Sequence, residues 1–337
     1  AGLNPYLFEM ANIRDQCSWI HMHEPERATD KAKDLVRMAV SKARLIEPLE
    51  RSELPVNQRA AVIGGGLSGM TAALEIADQG FPVDLIEREG ELGGNLATIY
   101  SETDGKTGRQ MVDETISKIS DHENITVHLN ATLDDVEGYV GNVVLHTSQG
   151  DIETGAVVLA TGAEEYRPTE YSYGQDDRVL TQRELGKRIS EGPVNADTVA
   201  MIQCVGSRTK ENPMCSRICC TSAMRNAIDI KDSSPKTDVY VFFKDMRTYG
   251  FKEELYRRAS ELGVVFIRMN DDEMPEMTEE GGKLVLKAND IILGEEVSVN
   301  ADMVALSTGI RPHPENDDIA QMLKVPVSKD GFFLEAH

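Results

Sequence analysis

Residues 60–87 constrain the fold more than any other part of the sequence. A short apolar run, Ala60-Ala61-Val62-Ile63, precedes a glycine-rich turn, a helical stretch over 68–79 and a second predicted strand, Val83 to Glu87. A strand–helix–strand unit of this length joins parallel strands through a right-handed crossover. The segment therefore predicts an α/β fold built on a parallel sheet.

The glycines of the turn have the Gly-x-Gly-x-x-Gly spacing of a dinucleotide-binding loop. Gly64 allows the tight turn, Gly66 lets the backbone approach a pyrophosphate, and Gly69 lets the helix meet the strand. The helix start presents free N–H groups and a partial positive charge to the phosphates. Glu87 is placed to accept hydrogen bonds from ribose hydroxyls and to repel a 2′-phosphate. We therefore expect a bound dinucleotide rather than an empty turn.

A second series of strands and helices begins at Val199 and repeats this layout. The two halves end alike, in Ala160-Thr161-Gly162 and in Ser307-Thr308-Gly309, each after an apolar run. The repeat predicts two Rossmann-like dinucleotide-binding domains after an N-terminal helical fragment. The expected bounds are 1–58 for the fragment and its linker helix, 59–165 for the first domain with 311–337 returning to it, and 166–310 for the second domain.

The second half lacks the glycine loop of the first. After the apolar run 199–203 the sequence continues Cys204-Val205-Gly206-Ser207, followed by Cys215, Cys219 and Cys220. Four thiolates from one loop and one helix start can bind a [4Fe–4S] cluster, with Cys215 and Cys219 expected one helical turn apart. Zinc, a redox-active disulfide and inert buried thiols are the alternatives; adjacent cysteines suit zinc poorly, and no C-x2-C dithiol is present. The degenerate loop also argues against a nicotinamide nucleotide in this half.

The composition excludes several classes of function. A formal net charge of −22 repels nucleic acids and anionic lipids, so we expect no nucleic-acid partner. The longest apolar runs, such as 156–160, fall far short of the ~20 residues of a membrane helix. The first residues have no signal-peptide pattern, and clustered cysteines suggest a reducing compartment, which we take to be the cytoplasm.

A second glycine turn indicates which dinucleotide binds. Leu92-Gly93-Gly94-Asn95 follows Glu87-Arg88, and Ala160-Thr161-Gly162 closes the half. This set resembles the two-domain flavoproteins of the thioredoxin reductase type, in which such elements flank FAD. The resemblance implies FAD and the following contact residues: Gly64, Gly66, Leu67, Ser68, Gly69, Glu87, Arg88, Gly93, Gly94, Asn95, Thr132, Leu133, Ala160, Thr161 and Gly162.

Several blocks together resemble the A subunit of CoB–CoM heterodisulfide reductase. The most specific are Cys204-Val205-Gly206-Ser207-Arg208 and Cys215-Ser216-Arg217-Ile218-Cys219-Cys220. The resemblance extends over the length of the chain, through the further blocks 12–19, 64–69, 249–256 and 331–337. It implies that Cys204, Cys215, Cys219 and Cys220 are ligands of a [4Fe–4S] cluster in an electron-transfer protein that also binds FAD.

The same resemblance implies a reaction and a set of partners. A two-electron donor, hydrogenase or formate dehydrogenase, would supply electrons that flavin-based bifurcation divides between ferredoxin and the disulfide CoM-S-S-CoB. The B and C subunits of heterodisulfide reductase would reduce the disulfide, and the chain would form a homodimer within the larger complex. The alternatives are a component of a quinone-interacting membrane-bound oxidoreductase, a pyridine-nucleotide-dependent disulfide reductase and a non-enzymatic scaffold with structural FAD.

Two further residues and the chain ends complete the expectations. Cys17 is expected to ligate an N-terminal cluster whose other ligands lie upstream of the sequence, or to be a packed thiol beside Trp19. Arg225 is a catalytic candidate that would stabilise the reduced anionic flavin by its charge, or an ordinary solvated arginine. Some family members carry a ferredoxin module where this chain has the short segment 98–110, and members usually continue past His337. We therefore expect a core fragment.

Overall fold

The computed structural model describes residues 2–50, 53–100 and 106–335. Ala1, Ala336, His337 and part of the segment 98–110 therefore lie outside the described residues. The chain forms two compact units, Ala1–Pro55 and Val56–His337, whose boundary lies three residues before the expected end of the N-terminal fragment at residue 58.

Helices and strands alternate along most of the second unit. The α-helices are α1 (Pro25–Ala43), α2 (Leu67–Asp78), α3 (Gly108–Ser120), α4 (Gln182–Glu191), α5 (Cys219–Ser233), α6 (Glu253–Glu261) and α7 (Asn316–Leu323). The strands are β1 (Ala60–Ile63), β2 (Val83–Ile86), β3 (Ile125–His128), β4 (Leu133–Tyr139), β5 (Asn142–Thr147), β6 (Gly150–Thr154), β7 (Ala156–Leu159), β8 (Glu164–Glu165), β9 (Val179–Thr181), β10 (Thr198–Ile202), β11 (Asp238–Phe243), β12 (Val265–Arg268), β13 (Glu276–Glu280), β14 (Lys283–Asp290), β15 (Glu295–Ala301), β16 (Met303–Leu306) and β17 (Ile310–Arg311).

The first unit consists of short turns and helix α1. A π-helical turn, Arg14–Ser18, carries Cys17, whose buried thiol donates a hydrogen bond to the Ala28 carbonyl at 2.9 Å. Pro25 begins α1, where a missing N–H costs no helical hydrogen bond. None of the helix residues is buried within the described chain.

The first sheet of the second unit holds the predicted strand–helix–strand unit. Its parallel strands have the order β3-β2-β1-β7. On one face, Val62 and Leu85 pack with Met70 of α2, and on the other, Ala61 packs with Leu145 of the antiparallel sheet β4-β5-β6. Burial on both faces explains why β1 is a continuous apolar run and why the one charged residue of β2, Asp84, is paired with Arg59 and His128.

The second sheet repeats this arrangement with five parallel strands in the order β12-β11-β10-β16-β9. Val199 and Met201 of β10 pack with Met224 of α5 on one face. Ala200 and Ile202 pack on the other face with the antiparallel sheet β13-β14-β15. The prediction of two Rossmann-like domains in an α/β chain is confirmed. No helix within the described ranges is long and apolar enough to span a bilayer.

The sequence missed several elements for identifiable reasons. Strand β4 is half exposed and carries Asp134, Asp135 and Glu137, so it lacks an apolar run. Helix α4 is amphipathic but polar overall, and its signal is the capping box of Thr181 and Glu184. Strands β14 and β15 form a hairpin, and the polar strand β13 adds to it as a third strand by pairing with β14. Helix α5 begins at Cys219, so Cys215 lies in the preceding loop and not one helical turn away, as the sequence suggested.

Candidate functional site

The first glycine loop connects β1 to α2 at the carboxyl edge of the first sheet. Gly64 has a φ of +110°, a left-handed conformation that favours glycine, and its N–H donates to the Ile86 carbonyl at 2.8 Å. A Cβ on Gly69 would overlap the Gly64 carbonyl oxygen, so this glycine is required for helix and loop to pack. A Cβ on Gly66 would meet nothing within 4 Å. The loop is therefore closely packed at Gly64 and Gly69, whereas Gly66 has free space toward the cavity in front of the loop.

The side-chain carboxylate of Glu87 stabilises this loop through hydrogen bonds to the backbone. Its carboxylate is 9% exposed and accepts the Gly65 N–H at 2.5 Å and the Glu89 N–H at 2.8 Å. A carboxylate that accepts two backbone N–H groups holds the first turn in position. The sequence assigned Glu87 only to a ribose, and its role as a support for the loop was missed.

A cavity of about 990 Å³ opens in front of the glycine loop. The second glycine turn borders it, because Gly93 N–H donates to the Gly65 carbonyl at 2.9 Å and a Cβ on Gly94 would lie 3.1 Å from the Gly66 Cα. The predicted residues that line this cavity are Gly64, Gly66, Leu67, Ser68, Glu87, Arg88, Gly94, Asn95, Ala160, Thr161 and Gly162.

A second cavity of about 460 Å³ continues from the first. Thr132 and Leu133 line it, together with Asn316, Ile319 and Met322 of helix α7. Of the fifteen residues expected to contact FAD, all of them described, only Gly69 and Gly93 are absent from the lining of these two cavities, and both instead pack the loops around them.

The sequence missed one side of the larger cavity. His313 lines it and lies 3.0 Å from a carboxylate oxygen of Glu164 and 3.0 Å from the Arg88 guanidinium. The hydrogen bond from His313 lowers the pKa of Glu164. The charged group formed by Arg88, Glu164 and His313 connects the segment after β17 to the first domain. Its residues come from three distant parts of the sequence, so no local motif identifies it.

These features fit FAD. The helix start of α2 and the open side of Gly66 provide the place for a pyrophosphate, since backbone N–H groups there face the cavity. Two connected cavities, lined by glycines and by mixed polar and apolar side chains, can accept an extended dinucleotide. The residues that would bind it are those that the sequence suggested, with the charged group at His313 added.

The corresponding loop of the second half, residues 203–218, has a strained backbone. Cys204, Arg208 and Arg217 have φ values of +65°, +56° and +60°, a region that costs a non-glycine residue about 1–2 kcal/mol. Backbone strain of this kind is concentrated at functional sites. Three such residues in one loop therefore mark it as a place where conformation serves a purpose other than stability.

Contacts on both sides hold the loop in this conformation. A Cβ on Gly206 would overlap the ring of Tyr166, and the Arg311 guanidinium lies 4.8 Å from the centre of that ring. Arg311 also donates to the Gly206 carbonyl at 2.6 Å, and Ile310 N–H donates to the Ser216 hydroxyl at 2.8 Å. The loop that would surround a second pyrophosphate is instead packed against protein at Gly206.

Two cysteines of this loop, Cys204 and Cys215, lie close to Cys219 and Cys220 at the start of α5, and all four are free thiols. Burial raises the pKa of Cys204, Cys219 and Cys220, and that of Cys219 reaches about 12. The charges of the other three thiols, Cys215 included, raise the pKa of Cys219 further, so the four groups are within electrostatic reach of one another. Ionising them together therefore requires compensating positive charge.

Cationic side chains surround these thiols. Arg208 and Lys244 act electrostatically on the first thiol of the loop, and Lys244 is 4% exposed with its ammonium 3.4 Å from the Arg208 carbonyl oxygen. Arg247 hydrogen-bonds to the Cys215 sulfur, and its backbone N–H donates to Cys220. Two of these cations also pair with Asp245, Arg208 at 2.9 Å and Arg247 at 3.5 Å, so they compensate thiolate charge only in part.

Four thiols are the kind of donor set that an iron–sulfur cube takes. Among the described residues, no group of three or more His, Cys, Asp and Glu side chains has the arrangement needed to hold a metal ion. In a [4Fe–4S] cube each thiolate binds a different iron, so the four sulfurs need not converge on one point. The cube also carries positive charge that lowers the cost of ionising buried thiols.

A third cavity, of about 100 Å³, lies between the cysteine loop and the cavity of about 990 Å³, the candidate flavin site, which is called the flavin cavity below. Cys219 and Ser307 line it, and it shares Ile99, Glu165 and Arg183 with the large cavity. The candidate cluster site and the candidate flavin site are therefore separated by a few side chains.

An ion pair forms the boundary between the two cavities. Arg183 lies 3.2 Å from Glu165 and donates to the Asn95 side chain at 3.1 Å. Thr308 donates to Glu165 at 3.3 Å, and burial raises the pKa of this carboxyl. Arg225 lies half-buried on α5, and the wall of the small cavity on that helix is formed by Cys219, Ser222 and Asn226.

The comparisons with known proteins agree with this geometry. A family described as pyridine nucleotide-disulphide oxidoreductase matches residues 58–207. The second iron–sulfur A subunit of CoB–CoM heterodisulfide reductase from Methanopyrus kandleri is 35% identical, over all of this chain and 66% of the relative. The A subunit of H2:CoB–CoM heterodisulfide,ferredoxin reductase from Methanothermobacter thermautotrophicus is 33% identical with the same coverage. The chain thus spans just under two thirds of these relatives.

Solved structures show the same fold. Thioredoxin reductase of T. acidophilum has a TM-score of 0.56 at 14% identity, covering 82% of this chain and 84% of that protein. Thioredoxin reductase of Lactococcus lactis has a TM-score of 0.58 at 18% identity, with coverage of 83% and 85%. With relatives of 30–35% identity over its whole length, the chain belongs to the family of the CoB–CoM heterodisulfide reductase A subunits, whose named members are oxidoreductases.

Proposed function

We propose that this chain is the FAD- and [4Fe–4S]-containing electron-transfer core of an A subunit of the heterodisulfide reductase type. The observation that carries the proposal is that a cysteine-containing loop replaces the dinucleotide-binding glycine loop in the second domain. Four thiols and three cations stand where a second dinucleotide loop would be, and a small cavity connects them to the flavin cavity. FAD, when bound, accepts electrons in pairs and releases them singly, and a cluster beside it accepts single electrons.

The residues of the chain divide the work between binding the flavin and binding the cluster. Gly66, the start of α2 and Glu87 would hold the pyrophosphate end of FAD, and Cys204, Cys215, Cys219 and Cys220 would hold the cluster. Arg225 remains a candidate for a charge near the flavin, and Cys17 for a ligand of a separate cluster. The domain bounds given from the sequence, with 311–337 returning to the first domain, are part of this proposal; α7 lining the second cavity supports them.

The proposed reaction and partners are those that the resemblance to the family implies. The names of the relatives include H2, F420H2 and ferredoxin as well as the CoB–CoM heterodisulfide. We carry these to the chain as follows: a hydrogenase or formate dehydrogenase supplies electron pairs, and bifurcation divides them between ferredoxin and the disulfide, which the B and C subunits reduce. The chain works as a homodimer within this cytoplasmic complex.

The proposal is tested by following both cofactors after flavin reduction. The reconstituted chain is photoreduced anaerobically, and flavin and cluster absorption are recorded together. We expect the cluster to be reduced along with the flavin in the wild type, and the flavin alone to be reduced in Cys219→Ala. A flavin that is reduced and reoxidised with no change in the cluster of the wild type contradicts electron transfer between the two sites.

A pyridine-nucleotide disulfide reductase is the second candidate, because the family matching residues 58–207 has that description. Tyr166 occupies the space beside Gly206, and the cysteines of the loop have no C-x2-C spacing. Both observations favour the electron-transfer function.

A further inference from the structure

The carboxyl edge of the second sheet contains a buried amide with no hydrogen-bond partner. Gln203 is 0% exposed, and neither its side-chain nitrogen nor its oxygen finds a partner among the described residues. The Ser307 hydroxyl, 1% exposed, is likewise unpartnered there. Buried polar groups are nearly always paired, because leaving them unpaired costs the full free energy of desolvation. Two such groups at one place call for a physical reason.

The backbone places these two side chains next to each other on one face of the sheet. Ile202 pairs with Leu306 in parallel register, and Ser307 N–H donates to the Ile202 carbonyl at 2.9 Å. Gln203 N–H donates to the Phe242 carbonyl at 2.9 Å, so strand pairing continues through this residue. Side chains alternate between the two faces of a strand. Gln203 therefore lies on the same face as Met201, two residues earlier, and Ser307 on the same face as Ala305.

Those earlier positions identify the face. Met201 of β10 and Ala305 of β16 pack with Ala223 and Met224 of α5 in one core cluster. Gln203 and Ser307 lie one step further toward the start of α5, which begins at Cys219. Ser307 and Cys219 line the same small cavity, and Cys204 directly follows Gln203 in the chain.

We propose that the Gln203 amide and the Ser307 hydroxyl donate hydrogen bonds to sulfur atoms of the cluster held by Cys204, Cys215, Cys219 and Cys220, and thereby raise its reduction potential. The inference rests on the proposed function. Both side chains are donors, and cluster sulfurs are acceptors that become more negative on reduction. Hydrogen bonds to them stabilise the reduced cluster more than the oxidised one. The cluster would also provide the partner that the amide lacks in the protein alone.

The test is an anaerobic redox titration of the reconstituted chain, monitored by EPR. Gln203→Met removes the amide at similar volume, and Ser307→Ala removes the hydroxyl. We expect each variant to keep its iron and FAD but to show, at the wild-type midpoint potential, a ratio of reduced to oxidised cluster that is lower by up to about tenfold, because only the difference in hydrogen-bond strength between the two redox states counts. Met201→Leu, on the same strand and face, is the packing control and should leave the ratio unchanged.

A second measurement covers variants that take up no iron. Without iron, Gln203→Met should unfold at a higher urea concentration than the wild type, because it removes an unpaired buried amide. A higher urea midpoint combined with poorer iron retention supports the amide–cluster contact. Unchanged cluster potentials in iron-loaded Gln203→Met and Ser307→Ala, or an unchanged urea midpoint of iron-free Gln203→Met, overturn the inference alone. A wild-type chain that takes up no iron defeats the proposed function and this inference with it.

Discussion

The two strand-to-helix loops of this protein differ although the frames that carry them are alike. In the first domain, Gly64 to Gly66 connect β1 to α2, and Glu87 fastens the turn through the Gly65 N–H. In the second, residues 203–218 connect β10 to α5 and contain three non-glycine residues with positive φ. A short glycine loop leaves space for a phosphate at the helix start. A long cysteine loop fills the same place with side chains of its own.

The comparison shows that the parallel sheet determines where a ligand binds, and the loop determines which ligand. Both loops lie at the carboxyl edge of the central strand of their sheet, where open α/β sheets bind ligands. The first relies on backbone N–H groups and the helix dipole, which suit an anion. The second offers thiols with Arg208, Lys244 and Arg247 nearby, a setting that suits the net negative charge of a thiolate-ligated iron–sulfur cluster.

The largest expected effect is the loss of the cluster from the second loop. Cys219→Ala removes one of four thiols, and a cube with three ligands is lost or converted to another cluster type. We expect iron to fall to a fraction of the wild-type content while FAD, bound by the other domain, stays. Cys17→Ala, in a different unit of the chain, is compared by the EPR signal of the cluster at Cys219, which it should leave unchanged. Elemental analysis and flavin absorption measure both, and equal iron in Cys219→Ala and wild type would remove Cys219 from the ligand set.

The next effect is the converse, loss of flavin from the first loop. Gly66→Val places a side chain in open space inside the loop, so the protein should fold but bind little FAD. Gly90→Val is the control, because a Cβ there meets only the Asn130 side chain, at 3.5 Å. Flavin content after gel filtration decides the question, and full flavin in Gly66→Val would show that the pyrophosphate lies elsewhere.

Glu87→Ala should have a smaller effect on the same domain. It removes the carboxylate that accepts the Gly65 and Glu89 N–H groups, and it removes the expected ribose contact. A charge-assisted hydrogen bond is worth about 1.5–3 kcal/mol, which corresponds to a ~10- to 100-fold weaker affinity for FAD. Titration of flavin-free protein with FAD measures it, with Glu91→Ala as an exposed control. Unchanged affinity would mean that neither contact contributes to binding.

The smallest expected effect is the reduction of the bound flavin by nicotinamide nucleotides. The second loop is packed at Gly206 against Tyr166 and held by Arg311, so it offers no glycine cradle for a second pyrophosphate. Mixing the reduced nucleotides NADH or NADPH with the flavin-loaded chain in a stopped-flow instrument should give slow flavin bleaching or none. Rapid bleaching would make the two domains alike in function and would restore the pyridine-nucleotide reductase.

The sequence was informative where function depends on local spacing. The glycine loop, the second glycine turn and the cysteine block were all visible because each lies within a few residues of chain. The contacts of Glu87 with Gly65, of Tyr166 with Gly206, and of His313 with Glu164 join residues far apart in sequence. No periodicity or motif encodes such contacts, because they arise only when the sheets bring distant segments together.

Element types were predictable from apolar runs, and polar elements were not. Strands β1, β2 and β10 are buried on both faces and stand out in the sequence. Strand β4 and helix α4 present much of their surface to solvent, so their patterns are faint. The unpaired amide of Gln203 was also invisible, since its significance comes entirely from burial.

The most direct test of the account is the cofactor content of the wild-type chain reconstituted under anaerobic conditions. Iron, acid-labile sulfide and flavin are counted, and the EPR spectrum of the reduced protein is recorded. The account predicts about one FAD and at least about four iron and four sulfide per chain, with an EPR signal from a reduced [4Fe–4S] cluster. Flavin without iron, or a metal without sulfide, would contradict the central claim that a cluster replaces the second dinucleotide.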